Sequence, residues 1–244
     1  MITAVLRHVM VFCVLLSAGT PVQAMDWQRI PREACAPVIA MQMDDCTVVR
    51  VSRCQSGDAE VIQHIEIEKD DLDFVDVFTS DYDLLMAFEE LGDVAVEGIT
   101  DNRDPLSLQQ ILVTGSDRSD QTILFKLPVF VEASPVDMTL EYQLTGESRD
   151  IDEATFEMGT FTGVLDFQQN ALEATISGEF YLHRATNTML EGKTVINFMG
   201  VLEETPHEGM RVLWPEDPDY NDDSLIYQCE NFSLKSSLRN LAKG

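Results

Sequence analysis

The chain has 244 residues, 45% of them hydrophobic, and carries 16 Lys and Arg against 43 Asp and Glu, a formal net charge of −27. That apolar content supports a packed core, while a charge of this sign repels phosphate backbones and anionic headgroups, which argues against nucleic-acid binding and favours cationic partners or metal ions. The same acidity also serves simply to keep an exported protein in solution.

The N-terminus has a basic start at Arg7 and His8, an apolar run from Val9 to Leu16, and small residues leading to Ala24 before the polarity changes at Asp26. This is the pattern of a secretory signal peptide cleaved after Ala24, and the run is well short of the ~20 apolar residues needed to cross a bilayer. Cys13 lies inside the run, which disfavours a lipid anchor. The expected product is residues 25–244, one exported β-rich domain, periplasmic or secreted, with no transmembrane segment. Loss of Arg7 lowers Lys+Arg from 16 to 15 and takes the net charge to −28.

The first unit spans 46–115. Trp27 to Asp45 contains Pro31 and Pro37 and reads as an irregular lead-in. Cys46 to Cys54 and Ala59 to Glu68, joined by Gln55-Ser-Gly-Asp58, predict a hairpin, and Leu72 to Phe78 a third run. In the second strand Val61, Gln63, Ile65 and Ile67 alternate with Glu60, Ile62, His64, Glu66 and Glu68. The charged parity places His64 among glutamates on a solvated face. Ser80 to Gly92 has a capping residue, early acids, apolar positions at Leu84, Leu85, Phe88 and Leu91, and a closing glycine, which predicts a helix. Asp104 to Gly115, with Pro105 at the first helical position, predicts a second.

From Gln121 to Glu204 the pattern is β throughout. Ile123, Phe125, Leu127, Val129 and Val131 share one parity, with Pro128 marking an edge or bulge. Met138, Leu140, Tyr142 and Leu144 follow, and then the runs Thr155 to Phe167, Ala171 to Leu182 and Lys193 to Leu202. Short connections predict a five-stranded antiparallel meander over 121–204. Gly159, Gly163, Gly178 and Gly200 inside the strands permit strong bending. The tail, 205–244, holds the apolar run Met210 to Trp214, an acidic loop, a last strand from Leu225 to Cys229, and a basic amphipathic helix bearing Lys235, Arg239 and Lys243, suited to docking on the chain's own acidic surface. The expected fold class is mainly β: a curved antiparallel meander or partly closed barrel with an N-terminal hairpin and two or three short helices.

Four cysteines, Cys35, Cys46, Cys54 and Cys229, remain after processing, and an even number in an exported chain predicts two disulfides. Cys46 to Cys54 is an extended segment whose ends lie ~26 Å apart, beyond the reach of a bridge. Of the remaining pairings, Cys35–Cys46 with Cys54–Cys229 is preferred, because it closes one short loop and ties the tail to the hairpin. Zinc ligation lacks any C-x-x-C spacing.

The motifs of hydrolases, metalloproteases and nucleotide-binding proteins are absent. His64, His183 and His207 are widely spaced, and His183 beside Arg184 reads as a solvated side chain. Asp217, Asp219, Asn221 and Asp223 place oxygen side chains at alternate positions, as in the first half of a calcium loop, so they are the candidate ligands for Ca²⁺; Asp222 and Gln228 depart from the glycine and glutamate that such a loop uses. Asp104-Pro-Leu-Ser107 leading into Ile111-Leu-Val-Thr-Gly115, followed by a meander and Trp214-Pro215, resembles uncharacterised exported proteins of alphaproteobacteria over residues 46–220. That resemblance implies no activity.

The expected function is an exported binding or interaction protein that takes a cationic protein partner or an apolar ligand on its acidic surface or concave face. The alternative is a barrel-type carrier of a small apolar ligand, with Phe156, Met158, Leu172, Ile176, Phe180, Ile196 and Phe198 near its interior. A hydrolytic enzyme without a recognisable motif is a distant third.

Overall fold

A computed structural model describes residues 34–56, 59–67, 73–89, 95–126, 133–168, 172–205 and 208–220. These form β1 (Cys35–Met43), β2 (Val48–Ser56), β3 (Ala59–Ile67), β4 (Asp73–Thr79), β5 (Leu84–Glu89), β6 (Ala95–Asp104), α1 (Leu108–Thr114), β7 (Ser116–Lys126), β8 (Ser134–Ile151), β9 (Ala154–Phe167), β10 (Leu172–His183), β11 (Thr188–Phe198), β12 (Val201–Thr205) and β13 (Gly209–Leu213). All the strands belong to one antiparallel sheet in the order β12-β11-β10-β9-β8-β7-β6-β5-β4-β3-β2-β1-β13. From β1 to β12 each strand pairs with its neighbour in sequence, as short connections favour, and β13 returns to pair with β1. The sheet is an open meander, not a closed barrel. Among the described residues its outermost strands, β12 and β13, are its shortest, five residues each.

The sheet curls until its two halves face one another. The Tyr82 hydroxyl, in the β4–β5 turn, accepts from the Met189 N–H at the start of β11 at 2.7 Å. Arg53 on β2 donates to the Thr186 carbonyl in the β10–β11 turn at 2.8 Å. At the other side Asp152, in the β8–β9 turn, accepts from the Val212 N–H at 2.7 Å, and the Tyr181 hydroxyl from the Gly209 N–H at 3.2 Å. One apolar core lies between the halves, built from residues such as Val49, Val51, Ile62 and Phe74 on one side and Phe161, Ile176, Phe180 and Ile196 on the other. Phe156, Ile176, Phe180, Ile196 and Phe198 are buried in it, and Met158 and Leu172 pack against it.

In the second half the expected strands form, with one division. The run Lys193 to Leu202 is broken at Met199 and Gly200, both at positive φ, and the Asn197 side-chain oxygen accepts from the Gly200 N–H. A hairpin therefore replaces a single strand, and β7 to β12 number six where five were expected. Gly159 in β9 and Gly178 in β10 make room for aromatic rings. Gly159 lies opposite Phe180, and Gly178 opposite Phe161. A Cβ at Gly159 would come within 2.0 Å of the Phe180 ring, and one at Gly163 within 2.5 Å of the Thr139 carbonyl oxygen.

In the first half three expectations are corrected. Ser80 to Gly92 is not a helix, since Leu84–Glu89 is a strand. The residues that resemble a helix cap make a hairpin turn instead, with the Thr79 hydroxyl accepting from the Asp83 N–H at 3.0 Å and Tyr82 at φ 74°. Leu84 and Ala87 face the main core, whereas Leu85, Met86 and Phe88 pack against a second cluster of Cys54, Val61, Val75 and Val77 on the opposite face. A strand covered on both sides has no alternation to read, and its spacing matched a helix by chance.

The second correction concerns the lead-in. Cys35–Met43 is a strand, and Pro37 is accommodated because β13 pairs only with residues 40–43 and the β1–β2 register shifts beside the proline. The third follows from this pairing, which places Cys35 opposite Cys54. The two are joined by a disulfide, so neither Cys35–Cys46 nor Cys54–Cys229 forms. Cys46 is disulfide-bonded as well, and Cys229 lies outside the described residues, as do the leader, the last strand, the basic helix and Pro128.

Non-reducing peptide mapping is expected to recover Cys35 linked to Cys54, and the double change to Ser to lower unfolding stability by about 3 kcal/mol for a loop of this length. Gly159→Ala and Gly163→Ala are each expected to cost about 1–3 kcal/mol in denaturant unfolding through overpacking.

Candidate functional site

The chemistry of the fold collects on the concave face of β2, β3 and β4. Residues opposite one another in antiparallel strands share a face. The register therefore sets Val51, His64, Asp76 and Ala87 in one row across the sheet, and Val49, Glu66 and Phe74 in the next. Val49, Val51, Phe74 and Ala87 belong to the main core, so this face is the interior one. His64, Glu66 and Asp76 are buried with them, at 6%, 7% and 8% exposure. The expectation of a solvated His64 is thus corrected. Its strand carries charges on the parity that the curl encloses.

The imidazole packs against Phe78 at 4.9 Å and Tyr82 at 5.7 Å between ring centroids, and these two rings lie 5.6 Å apart. Its Nε2 has no hydrogen-bond partner among the described residues. Burial lowers its pKa from 6.5 to about 3, so it is neutral at physiological pH. Burial raises Asp76 above the ordinary carboxylate range, with Glu66 and Glu191 adding charge repulsion in the same direction. Glu191, on β11 opposite Phe180, thus brings a further carboxylate to the interior from the other half of the sheet. Tyr142 packs against Phe161 and Phe180 nearby, and burial raises its phenol, followed by the charge of Glu191. Gln121, buried opposite Met138 on the same interior face, has a side-chain oxygen without a partner among the described residues.

A second feature lies beside α1. Ser107 caps the helix by accepting from the Gln110 N–H at 3.3 Å, and Gly115 ends it at φ 86°. Asp104, the expected cap, is instead the last residue of β6, because Asp83 and Asp117 accept from the N–H groups of Leu106 and Ser107, both at 2.6 Å, and so fix where the helix begins. Leu108 and Ile111 enter the core. A groove of about 620 Å³ beside the helix is lined by Asp104, Gln110, Arg118, Glu141, Gln143 and Thr160 among others. These side chains are exposed and polar, and Arg118 pairs with Glu141 at 3.7 Å. The groove thus offers mostly polar, water-facing groups, with Pro105, Tyr142 and Phe161 as its apolar share.

Of the expected calcium ligands, Asp217 and Asp219 are described, and Asn221 and Asp223 lie outside the described residues. Asp217 accepts from the Trp214 N–H at 2.7 Å, and Asp219 from Arg211 at 3.4 Å, so both carboxylates already shape the turn after β13. Among the described residues no group of three or more His, Cys, Asp or Glu is placed to hold a metal ion. His183, expected at the surface, is buried against Phe156 and Trp214, with Nδ1 at 2.8 Å from the Thr186 hydroxyl, and burial lowers its pKa. His207 lies outside the described residues. Nothing in the alternation of β3 marks His64 and Glu66 as interior. A signal did stand in its neighbours, where Val48, Val49 and Val51, and Phe74, Val75 and Val77, are apolar on both parities.

No family model, curated protein or solved structure matches the chain. No helix among the described residues is long and apolar enough to cross a membrane.

His64 is expected to make the fold acid-sensitive. The folded chain keeps it neutral, whereas the unfolded chain takes up a proton below pH 6.5, so its contribution is present above that pH and is lost as pH falls toward 3. Thermal melts of His64→Phe and the parent should diverge in the variant's favour across this window. A constant gap would contradict the neutral, buried imidazole.

Proposed function

We propose that the chain is an exported binding protein whose site is the concave face around His64, Glu66, Asp76 and Glu191. The observation that carries this reading is the Nε2 atom of His64, buried in the interior and without a hydrogen-bond partner among the described residues. Leaving such an atom unsatisfied costs about 1–3 kcal/mol, a cost that a bound molecule supplying the missing bond would relieve. Gln121 repeats the pattern on the same face with its side-chain oxygen. Valine and aromatic side chains surround these groups, giving the mixture of apolar wall and few polar contacts that small-molecule sites use.

The apolar carrier reading draws less support. The side chains expected to line its cavity pack into the core instead, as with Phe156 against Tyr181 at 6.0 Å and Phe198 against Phe167 at 5.7 Å between ring centroids. The sheet that would enclose them is open.

The test is equilibrium binding to the uncharged fluorescent probe N-phenyl-1-naphthylamine, using the chain expressed with its leader and purified after export. Saturable enhancement of fluorescence at one site, lost in Val51→Trp, which fills the row beside His64, is the expected result. A folded protein that gives no saturable signal would overturn the reading.

A further inference from the structure

We propose that the groove beside α1 is a second site, one that binds a short neutral oligosaccharide. It lies on the solvent side of the sheet, whereas His64 is on the interior side. Across β7, β8 and β9 the register sets Ser116, Gln143 and Thr160 in one row and Arg118, Glu141 and Thr162 in the next. All six are exposed and line the groove. From the spacing of strands and of alternate residues along them, the two rows make a polar grid of about 10 Å by 7 Å. The segment leading into α1 adds Asp104 and Pro105 on one bank, and the helix adds Gln110. Its volume of about 620 Å³ lies within the range of small-ligand sites.

The chemistry of these groups selects hydroxyls. The Gln110 and Gln143 amides each present two donor hydrogens and an acceptor oxygen, and the Thr160 and Thr162 hydroxyls both donate and accept. No hydrogen bond within the described residues occupies these four side chains. A sugar ring carries hydroxyls of the same dual character around its rim, and C–H groups on its faces. Exposed Pro105 supplies an apolar surface for such a face. Charge disfavours the nearest alternatives. Arg118 is the one cation lining the groove and is paired with Glu141, so an anion meets net negative charge. Asp117 accepts from the Ser107 N–H, which leaves Asp104 as the one lining carboxylate open to a cation. A peptide that adds as a strand needs an open edge, and β7, β8 and β9 are each paired on both sides.

The experiment is calorimetric titration of the exported protein near neutral pH with cellotetraose, maltotetraose and the N-acetylglucosamine tetramer, all neutral. Tetragalacturonate serves as the anionic counterpart of the same length, and sorbitol as a polyol without rings. At least one neutral tetrasaccharide is expected to bind saturably, with a Kd of about 1 mM or tighter and at least about tenfold more tightly than sorbitol or tetragalacturonate. Gln143→Ala and Thr160→Ala, surface changes each checked by a melting curve, should each weaken that binding about threefold to tenfold, the loss of one hydrogen bond. Absence of saturable binding by all three neutral probes overturns the proposal. So does binding no tighter than that of sorbitol or tetragalacturonate, or an affinity that both variants leave unchanged.

Discussion

The contact on which the rest of the structure depends is the one that holds the two halves of the sheet face to face. A thirteen-stranded antiparallel meander has no reason to enclose anything if it stays flat, and twist alone gives a saddle. Here Tyr82, in a hairpin turn of the first half, receives the Met189 N–H from the second, and Arg53 reaches the neighbouring turn. Burial raises the Tyr82 phenol, so the hydroxyl stays protonated and keeps its geometry. With that closure made, the inner faces of β2 to β4 and β8 to β11 share one core, and polar side chains on those faces lose contact with water.

This closure explains why one half of the chain was legible in its sequence and the other was not. In β9 the buried and exposed positions largely alternate, as do those of the first part of β10, because one face there meets the core and the other meets solvent. Periodicity records that directly, and the strands appear where the pattern places them. Strands β2 to β5 are covered on both faces. Leu84, Leu85, Ala87 and Phe88 therefore carry apolar residues without a period of two, and a turn rich in Ser and Asp in front of them imitates a helix cap. Local pattern cannot separate these cases, because the difference lies in what packs against the second face.

The same limit applied to the candidate site. His64 and Glu66 alternate with apolar residues and so resemble a solvated stripe, yet the enclosed face is theirs. The disulfide was missed for a related reason. Pro37 suggested an irregular segment, yet β13 pairs with β1 at residues 40–43 and the β1–β2 register shifts beside the proline, so a strand carries it and brings Cys35 opposite Cys54. By contrast, α1 was legible as a helix, since its closing glycine and apolar positions act locally. Its start was displaced by Asp83 and Asp117, whose contacts with the chain ahead of the helix are long-range in one case and cross the helix in the other.

The functional reading stands on the same closure. If the halves face each other, His64 is an interior group with an unmet hydrogen bond; if they do not, it is a surface histidine among glutamates. Nuclear Overhauser contacts in the folded protein test this most directly. A cross-peak is expected between the Tyr82 ring protons and the Met189 amide proton, groups 107 residues apart whose oxygen and nitrogen lie 2.7 Å apart. A well-folded protein in which the Tyr82 ring shows contacts only within its own hairpin would contradict it.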